Sequence, residues 1–371
     1  MSSIVFSPGE GDTLGGVGQE EVSVTNSTSR VLEVADALEA NEVFQRNGWT
    51  DGLPIIAPTE DAVARFLAVA GLAPDHVVGT EPVRRRRITA EKVAIAAVMA
   101  GALPEYFPVV LAIIRAMCRP EFSLHGSTAS TGGSAPFVVV NGPVRTALGM
   151  NATHNALGNA SRANATIGRS LRLFIINVMG GVPGQLDRST LGHPGKFTYC
   201  VAEDEEDSPW PSLAAERGVP AGTSAVTVLG AGAPHQIMNE WTHDPREILA
   251  TYVACIRANM LTYSIWPGNY FLLVPKQHRQ IFAEAGWSKK DIQAFVHEHA
   301  RVRRAEWRTV GKAAIAGRSD EERVYPALRA AEDLLVVAAG GPAGGFGAII
   351  PPWYGTKGVA VTAPIDTGGA T

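Results

Sequence analysis

The stretch "PFVVVNGP", Pro136 to Pro143, decides the fold. Its Phe-Val-Val-Val run is short, β-branched and without alternation. It predicts a strand buried on both faces, and Asn141-Gly142-Pro143 closes it as a turn. Strands of that kind belong to sheets flanked by helices. Working outward, the same signature returns in "LPIIAP" (53–58), "SAVTVLGAG" (224–232), "NYFLLV" (269–274), "DLLVVAA" (333–339) and "KGVAVTAPI" (357–365). Helical patterns separate these runs. The expectation is an α/β protein with a mostly parallel or mixed sheet flanked by helices.

The helices carry their own start and stop signals. "VLEVADALEANEVFQRNG" is amphipathic and stops at Gly48, and "TEDAVARFLAVAG" takes Thr59 as N-cap and Gly71 as stop. "TAEKVAIAAVMAG" and "PEYFPVVLAIIRAMCR" are apolar nearly all round, so they sit between other elements. "PREILATYVACIRANM" is another helix, and "SKKDIQAFVHEHARVRRAEW" a long polar one. Residues 1–30, rich in Gly, Ser, Thr and Glu, read as a flexible tail before an α/β domain over 31–371. "LPIIAPTEDAVARFLAVAGLAP" weakly echoes "YFLLVPKQHRQIFAEAGWSK", which would divide that domain into two related halves, about 31–220 and 221–371.

Composition excludes several classes. The 371 residues are 46% hydrophobic and only 18% charged, with a formal net charge of −4. The charge is spread along the chain, which argues against a nucleic-acid or anionic-membrane partner. The dense basic run Arg84–Arg87 is short and reads as a solvated approach to a helix. No apolar run is long enough for a membrane span, and the N-terminus lacks the pattern of a signal peptide. Three cysteines, Cys118, Cys200 and Cys255, suggest neither a disulfide framework nor a zinc site. A cytoplasmic setting and an oligomeric state are expected.

The candidate chemistry centres on "GNASRANATIGRSLRLF", Gly158 to Phe174. A helix from Thr166 to about Met179 would be apolar on most sides and buried, with Arg169 and Arg172 in its first two turns. Cations there oppose the helix dipole by roughly 0.3–1 kcal/mol each, and a buried guanidinium needs a partner. That partner is either a ligand carboxylate or phosphate, or a neighbouring Asp or Glu. On the first reading Arg162, Asn164, Thr166 and Arg169 bind a small anion. "SLHGSTASTGGSAP" adds His125 as acid/base and Ser127 and Thr128 as ligand-binding hydroxyls; "THNALGN" adds His154 and Asn155. "LGHPGKFTYCVAEDEEDSPW" offers His193, Lys196, Cys200 as a thiol and Glu203 as a base, its acidic run otherwise reading as a solvated loop. Asp51 in "GWTDGLP" reads as a turn former, and "GGPAGGFG" as a weak phosphate wrap. No nucleotide or metal motif of high specificity is present, so the cofactor is left unknown.

Together "NGWTDGLPIIAPTEDAV", "LHGSTAST", "VVVNGPV", "RANATIGRSLRL", "YCVAEDEEDSPW" and "GWSKKDI" resemble a bacterial family that accompanies small (seleno)proteins named for a Sec/Cys-Gly-Ser-Cys motif (UGSC). The resemblance runs over about residues 41–365. It implies thiol or selenol redox chemistry shared with a separate partner protein, since this chain has no Cys-Gly-Ser-Cys motif. Two departures stand out. Gly132 occupies a place where relatives tend to carry a second histidine, and "GGPAGGFGAII" replaces a more polar stretch.

The expected function is therefore an enzyme or enzyme subunit acting on a small anionic substrate, of oxidoreductase or lyase type. His125 and His154 would flank the reacting group, with Cys200 as nucleophile or Glu203 as base. Two rivals remain: a metal-dependent hydrolase or lyase liganded by His125, His154, His193 and Glu203, and a non-catalytic subunit of a heteromeric complex.

Overall fold

Val138 and Val140 point to one side of their strand and Phe137 and Val139 to the other, and all four are fully buried, as the unbroken apolar run predicts. The computed structural model describes residues 2–6, 29–158, 161–263, 266–316, 320–354 and 358–366. In chain order the strands are β1 (Ser2–Phe6), β2 (Arg30–Val34), β3 (Val77–Thr80), β4 (Arg87–Thr89), β5 (Ala135–Asn141), β6 (Cys200–Ala202) and β7 (Ala225–Ala231). They continue with β8 (His235–Met238), β9 (Tyr270–Val274), β10 (Arg301–Arg303), β11 (Val324–Pro326), β12 (Leu334–Ala338), β13 (Phe346–Ile350) and β14 (Val361–Pro364). The α-helices are α1 (Ala37–Arg46), α2 (Glu60–Ala70), α3 (Ala90–Met99), α4 (Phe107–Met117), α5 (Leu124–Thr128) and α6 (Val144–Ala147). After them come α7 (Arg162–Asn177), α8 (Leu213–Glu216), α9 (Pro245–Thr262), α10 (Lys276–Glu284), α11 (Lys289–His299) and α12 (Ala313–Ala316).

Two four-stranded mixed sheets carry this α/β fold, ordered β14-β7-β5-β6 and β12-β9-β13-β8. They share one plan. In each, an edge strand pairs parallel with its neighbour, β6 with β5 and β12 with β9, and the next two pairings are antiparallel. Chain order agrees as well, since β5, β6 and β7 take the places that β9, β12 and β13 take in the other sheet. The fourth strands are exchanged: β8 follows β7 but completes the second sheet, and β14 follows β13 but completes the first. The sheets therefore do not divide at 220/221. The echo heard in "LPIIAP" is not the repeat either, because that segment is not a strand. Pro54 and Pro58 have no N–H to give a ladder, and the amides of Ile55 and Ile56 donate to Asn41 Oδ1 and the Met99 carbonyl instead.

The inner faces of the two sheets share a core. Phe137, Val139, Val201 and Leu229 meet Phe271, Leu273, Leu335 and Val337 there, with Phe137 and Phe271 edge to face at 4.9 Å. The outer face of the first sheet, including Val138, Val140, Val226 and Val228, packs with residues of α2, α3, α4 and α7. The outer face of the second, including Leu272, Val274 and Val336, packs with α9, α10 and α11. The layers run helix, sheet, sheet, helix.

Four local expectations change. The tail reading fails for residues 2–6: β1 pairs antiparallel with β2, and Phe6 stacks on Trp49 with centroids 4.0 Å apart. Residues 7–28 of that tail lie outside the described residues. Helix α7 starts at Arg162, a turn before Thr166, with Ser161 as N-cap residue, so Arg169 and Arg172 stand further from the positive end of the dipole. Arg84 and Arg86 are not a solvated approach; their guanidiniums donate to the Met179 and Val178 carbonyls beyond the end of α7, where cations are favoured. The polar helix ends at His299 and continues as β10. Thr59 and Gly71 do cap α2 as read.

The acidic run is the largest correction. Its first two acids are buried and join the halves, while Glu206 and Asp207 remain exposed. Glu203 and Asp204 are buried and pair with Lys289 at 3.1 Å and Arg279 at 2.5 Å. Glu205 and Glu206 pair with Arg145, and Asp207 with Lys276. The backbone continues the junction: the Asp204 amide donates to the Ala338 carbonyl, which places the end of β6 beside the end of β12.

Candidate functional site

The predicted anion ligands are all engaged structurally. Both carboxylate oxygens of Asp51 lie 2.8 Å from Arg169, which also donates to the Pro54 carbonyl. A carboxylate partner, one of the two alternatives, thus neutralises Arg169. Arg162 is exposed and donates to the Gly101 carbonyl. Asn164 is buried and clamps Asn151 through both of its backbone groups. The Thr166 hydroxyl donates to the Arg162 carbonyl one turn back.

The expected nucleophile and base also fail on chemistry. Burial pushes the Cys200 thiol up to about 12 and does the same to Cys118, where Glu81 adds to it; burial raises Cys255 too. Thiols in such surroundings are poor nucleophiles. Glu203 is fully buried and occupied by Lys289, Asn141 and the amides of Leu213 and Ala338, so it has no free lone pair directed at a substrate. The four residues of the metal reading are not gathered. Among the described residues no group of three or more His, Cys, Asp or Glu side chains could hold a metal ion.

What α7 does present to a recess is Arg172, one turn beyond Arg169. Arg172 Nη1 lies 3.2 Å and Lys196 Nζ 2.6 Å from the same oxygen of Asp187. Ser189 completes the cluster, donating to Asp187 at 2.6 Å and accepting from Lys196 at 2.7 Å. All three charged side chains are largely buried, Asp187 most. Burial alone would raise the Asp187 carboxyl, but hydrogen bonds from Lys196 and Ser189 outweigh it and hold it below its ordinary value. Burial lowers the Lys196 ammonium, against the pull of Asp187 and with the push of Arg172. The cluster carries two cations and one anion, a net positive charge in a poorly solvated place.

This recess of about 20 Å³ is lined by Ser127, Thr128, Ser134, Arg172, Asp187 and Lys196, with Gly168 and Gly195 in its wall. The volume suits one water-sized group. Ser134 is buried and its hydroxyl has no hydrogen-bond partner among the described residues. The Ser127 and Thr128 hydroxyls donate to the Leu124 carbonyl, so their oxygens keep lone pairs with which to accept. Two loops make the recess by close approach. Gly133, at φ +73°, has no room for a Cβ, which would come within 2.9 Å of Gly192 Cα.

The stretches read as candidate chemistry contain Ser127, Thr128, Ser134, Arg172 and Lys196, of which only Ser127 and Thr128 were expected to bind a ligand. Asp187 and Ser189 carried no signal, since nothing in "GQLDRSTLG" distinguishes a buried carboxylate from a turn. His125 sits on α5 beside this loop, its Nδ1 enclosed without a partner among the described residues. At Gly132 a Cβ would come 2.6 Å from the Tyr263 hydroxyl. That tyrosine donates to the Gly132 carbonyl, and Trp353 donates to Ser130, so aromatic side chains hold the loop. His193 is not free; its Nδ1 accepts the Gly195 amide and its ring packs on Tyr199, and burial lowers its pKa. His154 and Asn155 lie apart from the recess, in a cleft of about 660 Å³ against the glycine-rich loop.

No family profile, curated protein or solved structure matches this chain. No described helix is long and apolar enough to cross a membrane.

Proposed function

We propose that the protein is a cytoplasmic enzyme, or the subunit of one, that acts on a small carboxylate- or phosphate-bearing substrate held at the Arg172–Lys196 recess. The observation that carries this reading is the pair of buried cations sharing one carboxylate beside the unpartnered Ser134 hydroxyl. A substrate oxygen entering there gains both cations and the hydroxyl, and compensates the excess positive charge. Asp187 orients the two cations. Lys196, with its pKa lowered by burial, is the group placed to hand over or take up a proton at the bound oxygen.

Lyase-type proton transfer suits these groups better than thiol redox chemistry, because all three thiols are shifted away from thiolate. A redox step therefore belongs to a separate thiol or selenol protein, as the UGSC resemblance implies. Leu191 and Phe197, on the loop that carries Lys196, are exposed apolar side chains beside which a partner chain would close the recess.

Calorimetry with phosphate, acetate and glycolate tests the reading. Arg172→Met and Lys196→Met should each weaken binding by about 10- to 100-fold, the loss of one charge-assisted hydrogen bond, while Arg169→Met leaves it unchanged. Absence of binding of all three anions, or equal binding by Arg172→Met, would overturn it.

A further inference from the structure

We propose that the cleft between the two halves is a second binding site, for a flat, uncharged heteroaromatic ring of nucleobase type. It does not depend on the anion reading of the recess. The cleft lies at the carboxyl ends of the parallel strands β9 and β12, where ligands of open α/β sheets bind. Residues 153–158, from the first half, close over it, and Gln236 enters on β8, the strand the first half contributes to the second sheet. At about 660 Å³ it has the size of a small-molecule site.

The chemistry of its walls selects the ligand. Among the described residues no Asp, Glu, Lys or Arg lines it, so a charged group would shed water without meeting a counter-charge. Leu273, Ala339 and Ala348 supply an apolar floor, and Leu157 and Phe346 are large apolar side chains left exposed in the wall. Of its exposed polar groups, Thr153 is tied to Asn151, while none of the His154, Asn155 and Gln236 side chains makes a hydrogen bond among the described residues. That set offers donors and acceptors to the edge of a ring and aromatic faces to its plane. The glycine-rich loop makes room. A Cβ at Gly341 would lie 2.9 Å from the His154 ring, so only glycine lets that imidazole lie against the loop and leave the cleft open.

The test uses the full chain with adenosine, guanosine, uridine and AMP, read by saturation-transfer NMR and calorimetry. At least one nucleoside should bind with Kd below about 1 mM, with saturation reaching the base protons more than the ribose. Gly341→Leu, which drives His154 into the cleft, and Phe346→Ala, at an exposed position that leaves folding intact, should each weaken it at least tenfold. Arg172→Met should not, which separates this site from the anion recess. Failure of all three nucleosides would overturn the proposal, as would binding of AMP alone or undiminished binding by both cleft variants.

Discussion

Lys289→Met tests whether the acidic run fastens the two halves together. The ammonium of Lys289 lies 3.1 Å from Glu203 and 3.1 Å from Glu216, and Glu203 has no exposed surface. Methionine keeps the stem and removes the charge. Glu203 then keeps its bonds from Asn141 Nδ2 at 2.6 Å and the Leu213 amide at 2.7 Å, but as a buried anion without its cation. Breaking a buried pair in this way costs about 3–5 kcal/mol. For 371 residues, an unfolding entropy near 2.1 cal/mol/K per residue makes ~0.8 kcal/mol/K, so the melting temperature should fall by ~4–6 °C. Calorimetry and urea denaturation at pH 7 measure both, and the exchanged strands β8 and β14 predict a single transition. Glu203→Gln combined with Lys289→Met should recover part of the loss, a coupling of ~1–3 kcal/mol. A single-variant loss under ~1 kcal/mol, or two losses that simply add, would refute the reasoning.

Arg169→Met and Asp51→Asn should each destabilise the fold with a coupling of ~0.5–3 kcal/mol in a double-mutant cycle, because the bidentate pair ties the turn at Asp51 to α7. Phe6→Ala should cost ~3–5 kcal/mol, measured by denaturation, where a free tail would lose nothing. The carboxyl of Asp187 titrates below its ordinary 3.8, so its contribution to stability is full above that value. It is lost as pH falls through the lower folded value; Asp187→Asn should flatten this part of the acid limb of a stability–pH curve. Burial encloses Cys200 and pushes its thiol up to about 12, so iodoacetamide should label it only on unfolding.

The α/β class was legible because β-branched runs such as Phe137–Val140 can be satisfied only between two covering layers, and the structure buries them so. The caps of α2 were legible because Thr59 and Gly71 act through local backbone geometry. The burial of α7 followed from its apolar circumference. What covers each face was not legible. Burial under a sheet and burial under a helix ask for the same residues, so neither the four layers nor the exchange of β8 and β14 shows in the pattern.

The site divides in the same way. The stretch Gly158–Phe174 determines by itself that fixed positive charge enters a buried helix and needs negative charge beside it. Which arginine is consumed and which is left facing a recess was decided by the tertiary structure. Asp51 stands 118 positions from Arg169 in the chain, and Asp187 meets Arg172 and Lys196 together only because its loop folds back on α7. Local sequence states the electrostatic demand, since charge and apolarity are properties of the residues themselves. The partner that meets it is chosen by distance in space, and Coulomb energy at contact range is blind to distance along the chain.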